Sequence, residues 1–243
     1  MIPLNQWLTK NKSTVNHSKT VFILFTHRKD FTVRLIQFGN NFINQASATK
    51  FLGLTIDQHL KFCDHVNNIC SKISKSVGII YKLNKFFPKD ILKTIYQSLI
   101  VPYLSYCQEI YYSAPQYCTN RVSILQKKAV RAMNSLPFND HTQVYFKTMQ
   151  LLKLEDMYTL SLVRIMHRKI HHDSGNLPAT PSHNYETRNR TRLSIPLFNR
   201  TATQKTFNYQ LIVKWNSLPE HFKSVKSKNK FKITVKNYLL SLY

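Results

Sequence analysis

Acidic side chains are scarce in this 243-residue chain, which has 11 Asp and Glu residues against 35 Lys and Arg. The formal net charge is therefore +24, and a basic excess occurs in each of the segments 1–60, 61–172 and 173–243. Metal-dependent polymerases and nucleases need clustered carboxylates to hold their divalent cations, whereas the acidic residues here are dispersed. The one adjacent pair, Glu155-Asp156, is expected to open a helix, where acids interact favourably with the helix dipole.

Glycine and cysteine are also few, with four residues of each. So little glycine excludes the glycine-rich loops that hold phosphates in P-loop and dinucleotide-binding proteins. The cysteine spacing matches neither a zinc motif nor a disulfide framework, so we expect reduced thiols. No apolar run is long enough to cross a membrane, and the N-terminus lacks the pattern of a secretory signal. We therefore expect an intracellular protein without a membrane partner, whether nuclear or cytoplasmic.

What the sequence does contain is a folded, strongly cationic surface. Hydrophobic residues make up 43% and aromatic residues 12% of the chain, far more than in a disordered basic tail. A charge excess spread over the whole chain favours a polyanionic partner such as a nucleic acid. A membrane surface is a poorer match, because the cationic faces lack an additional lipid-facing apolar stripe.

The first part of the chain predicts strands. Residues 20–27 (TVFILFTH) and 31–38 (FTVRLIQF) are rich in β-branched and aromatic residues, and the polar residues between them predict a hairpin. Gly39-Asn40-Asn41 predicts a loop. Residues 50–57 (KFLGLTID) predict a third strand, in which Gly53 indicates a bulge or a close backbone approach.

After residue 60 the apolar residues recur every three or four positions, which is typical of helices. Between residues 62 and 87 the apolar positions fall in an arc of roughly 80°, with four lysines on the opposite side. Further helices are predicted over residues 89–112, with a kink at Pro102, and over 120–134, 154–172 and 228–242. His167 and His171 lie one turn apart, but no acidic residue accompanies them as in a metalloprotease helix, so helix-dipole interactions explain His171 more simply.

Residues 173–205 lose the helical period and contain three prolines, which predicts a long loop. Within it, residues 183–200 hold four arginines beside Tyr185 and Phe198, with one acidic residue. Arginines interleaved with aromatics can contact phosphates and stack on bases. The alternative is a solvated loop that packs one Tyr and one Phe.

Six segments, in the same order, resemble the C-terminal portion of reverse transcriptases from non-LTR, LINE-type retrotransposons of the jockey kind. They are residues 11–25 (NKSTVNHSKTVFILF), 51–57 (FLGLTID) followed by His65, 98–107 (SLIVPYLSYC), 125–131 (LQKKAVR), 183–188 (HNYETR) and 215–219 (WNSLP). The sequence departs from the family pattern at two places. Residues 209–214, just before the last segment, differ from it, and the tryptophan expected near Phe62 is replaced.

The resemblance implies a mainly α, α+β fold. In these terms residues 1–60 are a palm remnant with a small antiparallel sheet and a primer-grip-like hairpin, and residues 61–172 are a helical thumb. Residues 173–205 are a basic loop with Pro and Arg, and 206–243 a C-terminal helical segment. The family's catalytic aspartate pair, its fingers and its endonuclease are absent from this sequence.

We therefore expect a truncated RNA-directed DNA polymerase that binds RNA or an RNA–DNA hybrid but does not polymerise alone. No catalytic or metal-binding residue and no cofactor are predicted, and Mg²⁺ is implied only for the full-length family enzyme. The residues expected to contact nucleic acid are Lys19, Phe51, Leu52, Gly53, Lys72, Lys75, Lys82, Lys85, Lys127, Lys128, Arg131, Arg188, Arg190 and Arg192.

Two other interpretations remain open from the sequence. The chain could be a host-adopted or relic protein-interaction module without nucleic-acid function. It could also take part in catalysis if the remainder of a retroelement polymerase supplied the acidic palm in trans.

Overall fold

The computed structural model describes residues 4–25, 36–38, 41–172, 192–198 and 201–243. The chain divides into two compact units, Met1–His65 and Val66–Tyr243. The fold is mainly helical with small sheets, as the sequence predicts. No helix among the described residues is both long and apolar enough to span a membrane.

The first unit begins with helix α1 (Leu4–Lys10) and a short 3-10 turn, His17–Lys19. Strand β3 (Asn41–Gln45) then lies between two partners, pairing in parallel with β1 (Val21–Phe22) and antiparallel with β2 (Ile36–Phe38). The predicted hairpin of strands 20–27 and 31–38 is therefore wrong in its pairing, and its turn lies outside the described residues. The asparagines of β3 resemble a loop in sequence, but cross-strand pairing outweighs their low strand propensity.

The predicted third strand is a hairpin instead. Strand β4 (Ala48–Phe51) pairs antiparallel with β5 (Leu54–Asp57), from Ala48 opposite Asp57 to Phe51 opposite Leu54. The two residues between them, Leu52 and Gly53, have φ angles of 45° and 87°. Two-residue hairpins favour such positive φ values, because the resulting turn matches the strand twist. Gly53 thus marks a turn and not a bulge.

The second unit contains most of the helices, starting with α2 (Cys63–Leu83). The predicted helix 89–112 is divided into α3 (Lys89–Leu99), α4 (Val101–Ser105) and α5 (Gln108–Tyr111). The first break lies next to Pro102, which has no N–H to continue the helix, and the second is at Cys107, with a left-handed φ of 52°. Then follow α6 (Gln116–Asn134), α7 (Gln143–Thr148) and α8 (Leu154–His171).

The C-terminal helices α9 (Thr201–Gln204), α10 (Phe207–Asn216), α11 (Glu220–Lys223) and α12 (Lys228–Ser241) follow. A hydrophobic core joins α8, α10 and α12, in which Val163, Trp215 and Phe231 are almost completely buried. Asn216, next to Trp215, exchanges two hydrogen bonds with the backbone of Leu193, at 3.0 and 2.8 Å. The Trp-Asn segment therefore serves packing and anchors a loop residue.

Buried glutamines fix the start of α8. The Gln126 amide donates to the Leu152 carbonyl and the Tyr96 hydroxyl, while its oxygen accepts from Leu154 N–H, each at 2.9 Å. Gln108 donates to the Leu154 carbonyl at 2.8 Å. Because buried polar groups need partners, these bonds hold α3, α5 and α6 in a fixed relation to α8.

Candidate nucleic-acid interface

Helices α2 and α6 lie side by side and run in the same direction. At their N-terminal ends, Arg121 Nη1 donates to Asn67 Oδ1 at 2.6 Å. Just beyond their C-terminal ends, Asn84 Nδ2 donates to Ser135 Oγ at 2.7 Å. Because both bonds join like ends, the two helices are parallel, and their C-terminal ends are adjacent.

The apolar face of α2 is buried as the helical period predicts. Val66, Ile69, Ile73, Val77 and Ile80 are all buried, whereas the predicted contact residues on this helix are exposed. Those residues are Lys72, Lys75, Lys82 and, just after the helix, Lys85.

A surface groove of about 270 Å³ runs between the two helices. Small polar side chains of α2, Ser71 and Ser74, line one wall, and Arg121 and Lys128 of α6 line the other. The groove thus combines two cations with hydroxyl groups, which is the chemistry that phosphate oxygens require. Arg121 is not among the residues that the sequence predicts to contact nucleic acid, although it lies on the same predicted helix as Lys128, two turns before it.

An exposed aromatic ring lies next to two cations beyond the end of α6. Ser135, at a left-handed φ of 53°, ends the helix and turns the chain back. Lys128 Nζ and the Arg131 guanidinium lie 5.6 and 6.0 Å from the centre of the Phe138 ring. Arg131 Nε also donates to the Asp140 carbonyl at 3.0 Å, which fixes the loop. Phe138 nevertheless remains 70% exposed, so its outer face can stack on a base.

The structure does not gather all the predicted cations into one patch. Lys72 Nζ lies 5.1 Å from the Tyr103 ring centre and therefore faces α4. Lys127 is exposed but points about 100° away from Lys128 around the helix. In the described part of the chain, no carboxylate forms an ion pair with any cation of α2 or α6.

The predicted contacts in the first unit are also exposed. Lys19 ends the 3-10 turn, where its N–H is 3.3 Å from the Asn16 side-chain oxygen that caps the turn. Phe51 and Leu52 project at the hairpin tip, with Leu52 77% exposed. A leucine at positive φ is strained and ordinarily avoided.

The arginine-rich loop is described in part. Arg188 and Arg190 lie outside the described residues. Arg192 is exposed, next to Leu193, which is buried and clamped by Asn216. Its backbone position is therefore fixed by the helical core.

Several acidic residues of the described chain make structural contacts. Asp57 accepts hydrogen bonds from the N–H groups of His59, Lys61 and Phe62; burial opposes ionisation, but these bonds dominate and lower the pKa of its carboxyl. The predicted pair Glu155-Asp156 lies in the first turn of α8.

The pair also makes tertiary contacts that the sequence does not reveal. Glu155 is 3.7 Å from Lys214 of α10, and Asp156 accepts from the Tyr243 hydroxyl at 2.6 Å. Burial raises the pKa of Asp156, although the bond to Tyr243 opposes this.

A metal site does not fit the described residues. No three His, Cys, Asp or Glu side chains lie together there in a way that could hold an ion. His167 and His171 bond instead to the carbonyls of Val225 and Lys223, at 2.6 and 3.2 Å. Both histidines thus attach α8 to the segment before α12.

Comparison with known proteins gives three relatives. Over 155 residues the chain is 26% identical to an RNA-directed DNA polymerase from mobile element jockey of Drosophila melanogaster, covering 62% of this chain and 17% of that protein. This chain is similar to the RNA-directed DNA polymerases of mobile elements. The resemblance drawn from its motifs is thereby confirmed.

The other two relatives agree. A probable RNA-directed DNA polymerase from transposon BS of Drosophila melanogaster is 24% identical, over 72% of this chain and 20% of its own length. The jockey polymerase of Drosophila funebris is 23% identical, over 57% and 15%. The chain thus spans at most about a fifth of the relatives it matches. No family model matches the chain, and no solved structure does.

Proposed function

We propose that this chain binds RNA or an RNA–DNA hybrid through the α2–α6 surface, in the manner of a polymerase thumb. The observation that carries the proposal is the parallel α2–α6 pair, with Arg121 and Lys128 in its groove and an exposed Phe138 beside Lys128 and Arg131. Cations in a groove contact phosphates without regard to sequence, and an exposed ring stacks on any base. The relatives' names, RNA-directed DNA polymerases, support the same ligand class.

The first unit carries a proposed contact of its own with nucleic acid. The resemblance assigns the hairpin tip to a primer grip and Lys19 to the neighbourhood of the incoming nucleotide. The exposure of Phe51 and Leu52 and the strained backbone of Leu52 support such a role.

We also propose that the chain does not add nucleotides by itself. Phosphoryl transfer by two metal ions requires carboxylates that are available to bind them. Asp57, Glu155 and Asp156 are instead engaged by backbone N–H groups, a lysine and a tyrosine hydroxyl. Freeing any of these carboxylates would break a contact within the fold.

A fluorescence-anisotropy titration with labelled single-stranded RNA and an RNA–DNA hybrid, over a series of salt concentrations, tests the binding proposal. The variant Lys128→Gln/Arg131→Gln should bind about tenfold more weakly. Its salt slope on single strands should be shallower by about 1.4, since each lost phosphate contact removes about 0.7. Phe138→Ala should weaken binding to the single strand without changing the slope, because stacking releases no counterions.

The control is the double variant Lys226→Gln/Lys230→Gln, which removes the same amount of charge. Both lysines are exposed, lie outside α2 and α6, and do not line the groove between these helices. Equal losses in both double variants would show a field effect of net charge and contradict the assigned surface. No binding at low salt would contradict nucleic-acid binding altogether and favour the protein-interaction module. Primer extension by the purified chain, with an active reverse transcriptase as positive control, would contradict the proposed lack of polymerisation.

A further inference from the structure

A second set of cations lines a groove between α8 and α12. Arg164 and Arg168 lie one turn apart on α8, and Lys228 and Lys232 lie one turn apart on α12. Together they border a cavity of about 410 Å³. No residue of this lining also lines the groove between α2 and α6, so the two surfaces consist of separate residues.

The floor of this groove is fixed by buried contacts. The imidazole of His167 stacks on the Phe231 ring, with the ring centres 4.2 Å apart and an interplanar angle of 24°. Its Nε2 atom is bonded to the Val225 carbonyl at 2.6 Å, so the segment before α12 is held as well. His167 and Phe231 are each only about 1% exposed, so they form a closely packed floor between the two walls. The cations therefore project from a closely packed floor. Ligand binding would need to order few further groups of the protein, which lowers its entropic cost.

The groove continues along α12. A neighbouring cavity of about 490 Å³ shares Ser161, Arg164 and Lys232 with the first and extends to Lys236. From Lys228 to Lys236 the helix rises about 12 Å, at 1.5 Å per residue. A nucleic-acid strand places one phosphate about every 3.4 Å along a duplex axis. The row of lysines thus spans about three to four phosphate-to-phosphate intervals.

The lysines of α12 repel one another in the absence of a ligand. Like charges one turn apart destabilise a helix, and cations in a first turn oppose the helix dipole. The first turn of α12 nevertheless contains Lys228 and Lys230 and no acidic residue. Neither cavity has an Asp or Glu among its described lining residues. An anion between the walls would relieve both kinds of repulsion.

We propose that the α8–α12 groove binds the phosphodiester backbone of a nucleic-acid strand, at a site separate from the α2–α6 surface. Arginine guanidinium groups contact phosphate oxygens through two parallel hydrogen bonds, and the lysines add point charges along the strand. The concave shape suits a strand and not a flat membrane surface. This inference takes from the proposed function only the class of ligand, a nucleic acid. The site itself is independent, because the two grooves share no residue.

The test is the same anisotropy titration, with Arg164→Gln/Lys232→Gln as the variant. We expect about tenfold weaker binding to single-stranded RNA and a salt slope shallower by about 1.4. Lys226→Gln/Lys230→Gln is again the control, because it removes equal charge near the same helix without touching the groove. Circular dichroism verifies that each variant is folded.

Lysine acetylation read by mass spectrometry gives a second, local measurement on the unaltered chain. Bound RNA should protect Lys228, Lys232 and Lys236, while Lys230 should react as before. Equal reactivity with and without RNA, together with a wild-type salt slope in the groove variant, would overturn the inference. Equal protection by polyglutamate at the same charge concentration would also overturn it, because the groove would then accept any polyanion.

The two proposals fail separately. If the Lys128→Gln/Arg131→Gln variant is affected and the groove variant is not, the proposed function stands and this inference falls. The reverse result keeps the α8–α12 site and removes the α2–α6 surface.

Discussion

The two units of the chain differ in how they bury apolar side chains. Of the described residues in Met1–His65, Leu54 and Phe62 are the buried hydrophobic ones, while Phe42 on β3 is 59% exposed. In Val66–Tyr243, by contrast, large side chains such as Tyr96, Trp215 and Phe231 are almost completely enclosed. Short strands gain little from one another without a broad sheet, whereas each amphipathic helix brings a complete apolar face. The second unit therefore has the features of an independently stable core, and the first does not.

This contrast predicts unequal effects for two phenylalanine substitutions. Phe231→Ala should lower the free energy of unfolding of the second unit by about 3–5 kcal/mol, because it leaves a cavity in a packed core. Phe42→Ala should change stability by less than about 1 kcal/mol, since its ring is mostly in water. The chain has two tryptophans, Trp7 and Trp215, one in each unit, so urea unfolding of a Trp7→Phe background reports the second unit through Trp215.

If Phe231→Ala and Phe42→Ala lower the free energy of unfolding equally, the proposed difference in core packing between the two units is wrong. The same titration followed through Trp7, in a Trp215→Phe background, should show the first unit unfolding at lower urea concentration. Coincident transitions would contradict separate stabilities.

The hairpin tip allows a smaller test in the first unit. Leu52→Gly should stabilise the β4–β5 hairpin by up to about 1 kcal/mol, because glycine adopts positive φ without steric strain. The gain is limited because glycine loses more conformational entropy on folding than leucine does. Gly53→Ala should have the opposite sign, since φ at that position is 87°. Amide hydrogen exchange at Phe51 and Leu54 measures both effects, and unchanged exchange in both variants would contradict the strained turn.

The smallest expected effect is a pH dependence in the second unit. Burial lowers the pKa of His167; its bond to the Val225 carbonyl opposes this, and His171, His172 and Lys228 lower the pKa further. The unfolded chain therefore binds a proton more readily than the folded one. The stability that neutral His167 contributes is complete above pH about 6.5 and is lost as the pH falls below that value.

We expect a lower Tm at pH 5.5 than at pH 7.5, followed by Trp215 fluorescence. In His167→Gln, which keeps a hydrogen-bond donor but does not titrate, this difference should shrink. A difference of the same size in the variant would assign the pH dependence to other groups.

Much of the helical unit could be predicted because its signal is local. The six apolar positions from Phe62 to Ile80 recur at helical spacing, and all six are buried. The β region was harder, because β3 depends on partners distant in sequence and its asparagines suggest a loop. A period of two residues predicts a strand and one of about 3.6 residues predicts a helix, but neither period shows what the element pairs with.

For the candidate site, the sequence by itself determined the sign of the charge, the positions of most helices and the resemblance to mobile-element polymerases. Only the tertiary structure decided which cations meet. It directed Lys72 toward Tyr103, placed Lys128 and Arg131 around Phe138, and brought Arg164 opposite Lys232. The reason is that helix period fixes the face on which a residue lies, whereas the neighbour of that face is set by long-range packing and loop closure.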